Sequence, residues 1–359
     1  MKNMYNVIGL MSGTSLDGLD LAYCQIQETE GSYTYNIKQT KSVDYTPEMK
    51  NSLKNAIHLP TLGLLELNNT YGTWLGEQTK IFIKEENLEV DFIASHGHTT
   101  HHQPKKGVTF QIGCGQHLAN ACNHVVINDF RTNDVSLGGQ GAPLVPIGDM
   151  FFFKEYDFCL NLGGISNISF QKEEKRIAYD IGLANMILNY ITQKIDLAYD
   201  KNGELARSGV INIHLLNELN DLEFYKLPFP KSIGYEWFLN KVIPLVDQTE
   251  DSIPNLLHTA VHHICQQIAI QIKNNIKPKN SKLLVTGGGA LNSFLVDTLK
   301  HKLNNIATVV IPSKTVIEFK EALIFALMGV LRHENKTNVL SSVTGAKKDS
   351  CSGVIYYPQ

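Results

Sequence analysis

The chain has 359 residues, and at roughly 150 residues per domain that length predicts two domains. Hydrophobic residues make up 43%, which excludes intrinsic disorder, and only 19% are charged, which leaves ample apolar material for cores. The 32 Lys and Arg against 35 Asp and Glu give a net charge of −3, so the usual electrostatic ground for binding nucleic acid or an anionic membrane is missing.

In chain order the elements read as mixed α/β. Asn6–Met11 is a short apolar strand and Leu19–Gln27 a second one, joined by the polar turn SGTSLDG into a hairpin. Thr61–Glu85 carries helical spacing, with Leu62, Leu65, Tyr71, Trp74 and Leu75 able to share a face. Phe92–Ser95 and Val125–Asn128 read as short buried strands. From Asp129 the Gly- and Pro-rich run TNDVSLGGQGAPLVP reads as loop. A hairpin then recurs: Asp157–Leu162, the turn GGISN, and Ile165–Gln171, about 150 residues after the first, which suggests two related halves. Leu256–Asn275 reads as a helix, LLVTGGGALNSFLVDTLK as strand, glycine loop and helix, and Glu318–Arg332 as a final apolar helix.

Six cysteines without a Cys-x-x-Cys pattern predict buried free thiols in a reducing cytosol. The run MYNVIGLM gives way too soon to SGTSLDG for a signal peptide, and no stretch approaches the ~18 apolar residues of a membrane span. The expectation is a soluble cytoplasmic protein.

Three glycine-bearing turns follow strands: Gly9–Gly18, Asn161–Asn167 and Val285–Asn292. Glycine at a strand end lets backbone N–H groups approach an anion closely, and a helix N-terminus after Gly287–Gly289 adds positive potential. Ser12, Thr14 and Ser15 add hydroxyl donors, and Asp17 offers a carboxylate to a magnesium ion. The GxxxxGK[ST] pattern is absent, so the reading is phosphate binding without a P-loop, against plain tight corners at each glycine turn. Asp129, Arg131 and Asp134 fall at a strand end; Arg131 suits bidentate pairing with a substrate carboxylate, or an internal Arg–Asp ion pair. Gln140 offers hydrogen bonds to a polar ligand, or simply satisfies its own loop. The histidines of SHGHTTHH lack the HExxH register, and His258, His262 and His263 on one helix read as packing rather than zinc.

Taken together and in this order, VIGLMSGTSLDGLDLAYC, ASHGHTTHHQP, INDFRTNDVSLGGQGAPLVP, NLGGISNISF, FPKSIGYEWF, LLVTGGGALN and SVTGA resemble the anhydro-N-acetylmuramic acid kinases, members of the actin, Hsp70 and sugar-kinase superfamily. The resemblance runs from Val7 to Ala346. It implies an α/β, two-domain actin-like ATPase (ribonuclease H-like) fold with a central interdomain cleft. The implied division is 1–145, joined by the tail 340–359, against 146–339. It implies that Ser12, Gly13, Thr14, Ser15, Asp17, Gly18 and Asp20 wrap the phosphates of ATP. Gly163 and Gly164 would form a second phosphate loop, and Gly287, Gly288 and Gly289 would border the adenosine. Asp180, in YDIGLAN, matches the catalytic base, against a plain reading as a helix N-cap. His96, Gly97, Arg131, Gln140, Asn167 and Glu321 match the sugar side, although an acid near the start of the last helix also serves the helix dipole.

The implied reaction opens the 1,6-anhydro bridge with water and phosphorylates O6 from ATP with Mg2+, in peptidoglycan recycling, by a cytoplasmic homodimer without nucleic-acid or membrane partners. Ile181, Leu183 and Ala184 depart from the family's Thr, Pro and Gly, HGHT replaces HGQT, and QIGCG replaces a QIGD-type segment. Two alternatives stay open on that account: a kinase of another anhydrosugar, and a catalytically weakened ATP-binding regulatory protein.

Overall fold

Val7, Ile8 and Leu10 are apolar positions buried on both faces of their strand, as a central strand requires. The computed structural model describes residues 3–13, 16–275 and 281–359, and builds one sheet around that strand. β1 (Met4–Ser12), β2 (Leu19–Thr29) and β3 (Ser32–Val43) form an antiparallel meander. β4 (Phe92–Gln103) lies parallel to β1 on the other side. β5 (Val108–Ile112) pairs with the far end of β4, β6 (Val126–Asn128) with its near end, and the tail strand Val354–Tyr356 with β6.

A second sheet repeats the plan. β7 (Phe158–Leu162), β8 (Ile165–Lys172) and β9 (Lys175–Leu183) form an antiparallel meander, and β10 (Ser281–Thr286) then β11 (Ala307–Val310) extend it in parallel from β7. The orders β3-β2-β1-β4-β6 and β9-β8-β7-β10-β11 are one topology written twice. Three antiparallel strands followed by two parallel ones is the ribonuclease H-like arrangement, and the fold is α/β of the actin-like type. The parallel steps need crossovers, which are filled by helices such as Thr61–Glu85 and Ile253–Asn275.

Two compact units carry these sheets: Met1–Phe152 with Phe319–Gln359, and Phe153–Glu318. The expected borders, 145/146 and 339/340, differ from these for a physical reason. The helix Pro146–Phe152 brings Asp149 to Lys320, an ion pair of 2.7 Å with both side chains nearly fully buried. The helix Lys314–His333 also lies directly on β1: a Cβ added to Gly9 would stand 1.9 Å from the Ala322 carbonyl oxygen. Pro146–Phe152 and the helix from Phe319 onward are therefore held in the first unit. Each unit has its own core, around Ile8, Leu21, Tyr71 and Phe82 in the first and Leu160, Ile181, Ile264 and Leu283 in the second.

Several boundaries differ from the sequence reading. The strand expected at Phe92–Ser95 runs on through the histidines to Gln103, because β5 supplies it with a partner there. The supposed loop after Asp129 contains a short helix, Thr132–Ser136, and its last residue opens another, Pro146–Phe152. In Thr61–Glu85 the buried face begins at Tyr71, while Leu62 and Leu65 stay exposed. The six cysteines are free thiols, and Cys24, Cys122, Cys159 and Cys265 are buried. Among the described residues no helix is long and apolar enough to cross a membrane.

Candidate active site

In the second unit the chemistry gathers on β9, an edge strand of its sheet. Asp180 sits within that strand, four positions before the Ala184 that caps the helix Asn185–Gln193. It is therefore not the cap. The edge of β9 is occupied by the segment Lys231–Ile233 of the FPKSIGYEWF motif: the Asp180 N–H donates to the Lys231 carbonyl at 3.1 Å. The same segment holds the carboxylate. Asp180 Oδ2 accepts from Ser232 Oγ at 3.0 Å and from the Ile233 N–H at 2.9 Å. Oδ1 takes part in neither bond. Burial raises the Asp180 pKa above the ordinary carboxylate value, and the Ile233 and Ser232 hydrogen bonds oppose that rise.

Beside Asp180 across the sheet lies Asn167, its register partner on β8. A bulge at this point leaves Ile181 as the extra residue on β9. Ile181, Leu183 and Ala184 are all buried in the core of the unit. The three departures from the family pattern thus fall on core-facing positions, where an apolar side chain packs, and leave the carboxylate's own partners in place. Gly182 is required here, since a Cβ would meet the Tyr225 ring at 2.6 Å.

The β7–β8 turn holds Gly163 and Gly164. Their carbonyls accept from the Asn185, Ala184 and Met186 N–H groups, which fastens the turn to the following helix through its acceptors and keeps its N–H groups out of that contact. A Cβ on either glycine would meet nothing closer than 3.4 Å. Side-chain crowding therefore does not demand glycine at either position. Gly287 is different: its φ of +80° and a prospective contact of 2.6 Å with Asn161 Oδ1 fix it as glycine for the chain's own sake. Gly288 is open, with the nearest atom at 3.7 Å, whereas Gly289 packs against Leu162.

In the first unit the β1–β2 hairpin closes with Ser12 opposite Leu19. Thr14 and Ser15 lie outside the described residues. Asp17 is exposed, and Asp20 accepts from Ser42 Oγ at 2.6 Å. Ser12 is buried and its hydroxyl turns into the unit, against Tyr45 and His98, rather than toward the loop. Gly18 has to clear the Val43 carbonyl, 2.6 Å from a prospective Cβ.

Four residues expected on the sugar side, His96, Gly97, Arg131 and Glu321, come together here. The bulge between β1 and β4 frees His96 and Gly97 from the ladder, with Gly97 at φ +71°. The His96 ring packs on Phe325, four residues after Glu321 on the same helix. His96 Nε2 accepts from Arg131 Nε at 3.0 Å and Nη2 at 2.9 Å, while Nδ1 bonds the Gly97 carbonyl. Those partners define a neutral ring with its proton on Nδ1. Burial and then Arg131 hold the His96 pKa well below its usual value, in agreement with that assignment.

Arg131 Nη1 donates to the Gly141 carbonyl. Three of its five N–H groups are thus engaged by described residues. Among the described residues Arg131 makes no direct salt bridge to Asp129 or Asp134, although the Asp134 charge acts on it. Asp134 instead accepts from the Gly141 N–H and the Thr344 hydroxyl, both at 2.7 Å, and ties the SVTGA segment to the GGQGAP loop; Asp129 accepts from the Thr132 N–H. Gln140 is anchored through its backbone, to the Thr344 carbonyl, and its side chain is exposed. Glu321 lies mid-helix in Lys314–His333, so it plays no part in dipole complementation at a first turn. Loss of water around it raises its pKa, while the charges of Arg131 and Lys320 lower it and Asp20 raises it.

Sequence reasoning missed Ser232 and Ile233 as partners of Asp180. The one signal for them was that FPKSIGYEWF belongs to the ordered motifs. It also missed Tyr45 and Tyr71 behind Ser12, for which no local signal exists. His258 and His262 stack at 4.7 Å and His263 bonds Asn220 and Tyr225; among the described residues no three metal-ligating side chains converge.

A family model described as anhydro-N-acetylmuramic acid kinase matches residues 5–358. The chain belongs to that family. Among relatives, the anhydro-N-acetylmuramic acid kinase of Bacillus thuringiensis strain Al Hakam is 32% identical over the whole of both chains. That of Bacillus anthracis is 32% identical over 98% of this chain and 99% of its own. Likeness to solved structures is remote: the (R)-2-hydroxyglutaryl-CoA dehydratase component A of Acidaminococcus fermentans aligns over 90% of this chain and 96% of its own, at 11% identity and TM-score 0.43.

Proposed function

We propose that Asp180 is the general base of this chain, and that the first unit's Arg131, His96, Gln140 and Glu321 orient the sugar. As a member of its family the chain is an anhydro-N-acetylmuramic acid kinase, a phosphotransferase of peptidoglycan recycling. Water adds to C1 of the sugar, the bond from C1 to O6 breaks, and O6 takes the γ-phosphoryl group of ATP as ADP leaves. Asp180 Oδ1 receives the proton that the water loses. Its Oδ2 bonds to Ser232 and Ile233 keep the carboxylate ionised and fix its direction, and burial raises its basicity. That opposition is the observation that carries the reading.

Arg131, braced by His96 and Gly141, presents two further N–H groups to the lactyl carboxylate. Gly163, Gly164 and Gly288 let backbone N–H groups approach phosphate oxygens, while Gly13, Gly18, Gly287 and Gly289 shape the loops. Asn167 stands beside the base. Asp17, an exposed hard-oxygen donor, suits Mg2+, which takes one or two carboxylates and completes its shell from water and phosphate. When bound, the ion neutralises phosphate charge. A cytoplasmic homodimer completes the proposal.

The test is a coupled ADP-release assay with 1,6-anhydro-N-acetylmuramic acid against ordinary hexoses and an unsubstituted anhydrohexose. ADP release dependent on the muramic sugar is expected. Equal turnover of the unsubstituted anhydrohexose would favour the second substrate reading, and ATP binding without sugar-dependent ADP release would favour a regulatory protein.

A further inference from the structure

Ser12 ends β1 and opens the first glycine-hydroxyl loop, yet its own hydroxyl is committed elsewhere. Tyr45 OH donates to Ser12 Oγ at 2.7 Å, Ser12 Oγ lies 2.9 Å from His98 Nδ1, and Tyr71 OH lies 2.8 Å from Tyr45 OH. Ser12, His98, Tyr45 and Tyr71 are exposed by 2%, 4%, 8% and 0%, so water does not compete for these bonds. The Tyr71 and His98 rings also meet edge to face at 6.4 Å.

Proton accounting orders the chain. Tyr45 gives its proton to Ser12, so Tyr71 must donate to Tyr45. Ser12 accepts from Tyr45 and can give its own proton to His98 Nδ1, which accepts when the ring is neutral with its proton on Nε2. Burial pushes the His98 pKa down to about 4, so the ring is neutral near pH 7. The parallel register supports the same geometry: Leu10 pairs with Ser95 and Ser12 with His98, so two residues of β4 stand against one of β1. That extra residue turns His96 toward Arg131 and His98 toward Ser12 from neighbouring positions.

We propose that His98, with Tyr45 behind it, is a positioning residue that fixes the Ser12 end of the first loop for the nucleotide phosphates. The proposal rests on reading that loop as the phosphate-binding one. It predicts an effect on nucleotide affinity that acts through Ser12, without contact between His98 and ligand. A purely structural network would lower stability and leave affinity unchanged.

Calorimetric titration of the full chain with a non-hydrolysable ATP analogue and magnesium distinguishes these, alongside Tm and steady-state kinetics. His98→Leu keeps the bulk and removes the acceptor; it is expected to raise the analogue Kd and the KM for ATP ~10-fold while the sugar KM changes less than about twofold. In His98→Gln the carboxamide oxygen accepts the Ser12 proton again, and affinity is expected within about threefold of the unmodified chain. Tyr45→Phe removes one hydroxyl from the same chain; should His98→Leu fail to fold, it carries the test, with an expected Kd increase of about threefold or more. A fall in Tm with unchanged nucleotide affinity in His98→Leu and Tyr45→Phe overturns the proposal, as does failure of His98→Gln to restore affinity. If the unmodified chain binds no nucleotide, the reading of the loop fails first and the proposal falls with it.

Discussion

Replacing Ser232 by Ala removes one of the two hydrogen bonds that hold Asp180 ionised and leaves the Ile233 N–H in place. A hydrogen bond to a charged group contributes about 1.5–3 kcal/mol, and the exposure of Ser232 to solvent favours the low end, since water replaces part of the lost donor. As the proposed general base, Asp180 works only when ionised, so activity is expected above its pKa and is lost as pH falls through it. Burial already raises the Asp180 pKa, and losing a bond that opposes the rise moves it further up. The acid limb of kcat/KM should therefore shift to higher pH in Ser232→Ala, with a loss of ~10-fold on the limb and little loss on the plateau. The assay is sugar-dependent ADP release measured across the acid limb. An unmoved limb, or one shifted to lower pH, refutes the view that Ser232 tunes the base.

Arg131→Ala should reduce kcat/KM for the muramic sugar by ~10–100-fold and for an unsubstituted anhydrohexose by much less, because only the former carries a carboxylate. Equal losses in the paired assay would remove Arg131 as the carboxylate reader. Gly163→Ala and Gly287→Ala should behave oppositely: the first fits the chain and raises the KM for ATP with little change in Tm, whereas the second strains a φ of +80° and lowers Tm. Lys320→Met leaves Asp149 buried without this ion-pair partner and should destabilise the first unit by about 3–5 kcal/mol, read from the denaturant midpoint.

What the sequence made legible followed from local chemistry. Apolar runs ending in glycine turns marked β1, β7 and β10, because a buried central strand must be continuously apolar. β3 was illegible: its solvent-facing side chains, such as Lys38, Gln39 and Lys41, dilute the pattern, and only pairing with β2 makes the segment a strand. The histidines of β4 were hidden for the same reason, since β5 decides that they lie in a strand. At the site, Asp180, Arg131 and Glu321 could be named from motifs, but their partners could not. Ser232 lies 52 residues from Asp180, and His96 reaches Arg131 through a bulge that has no sequence signature. Glu321 was placed at a helix start because the apolar run seemed to begin there; the helix in fact begins at Lys314, before that run.

The central claim concerns one carboxylate, and Asp180→Asn tests it most directly. The substitution preserves shape and removes the base. Sugar-dependent kcat is expected to fall by ~10²–10⁴, with Kd for the ATP analogue unchanged within about twofold. Near-full turnover in Asp180→Asn, with the variant folded and nucleotide bound, would contradict the account.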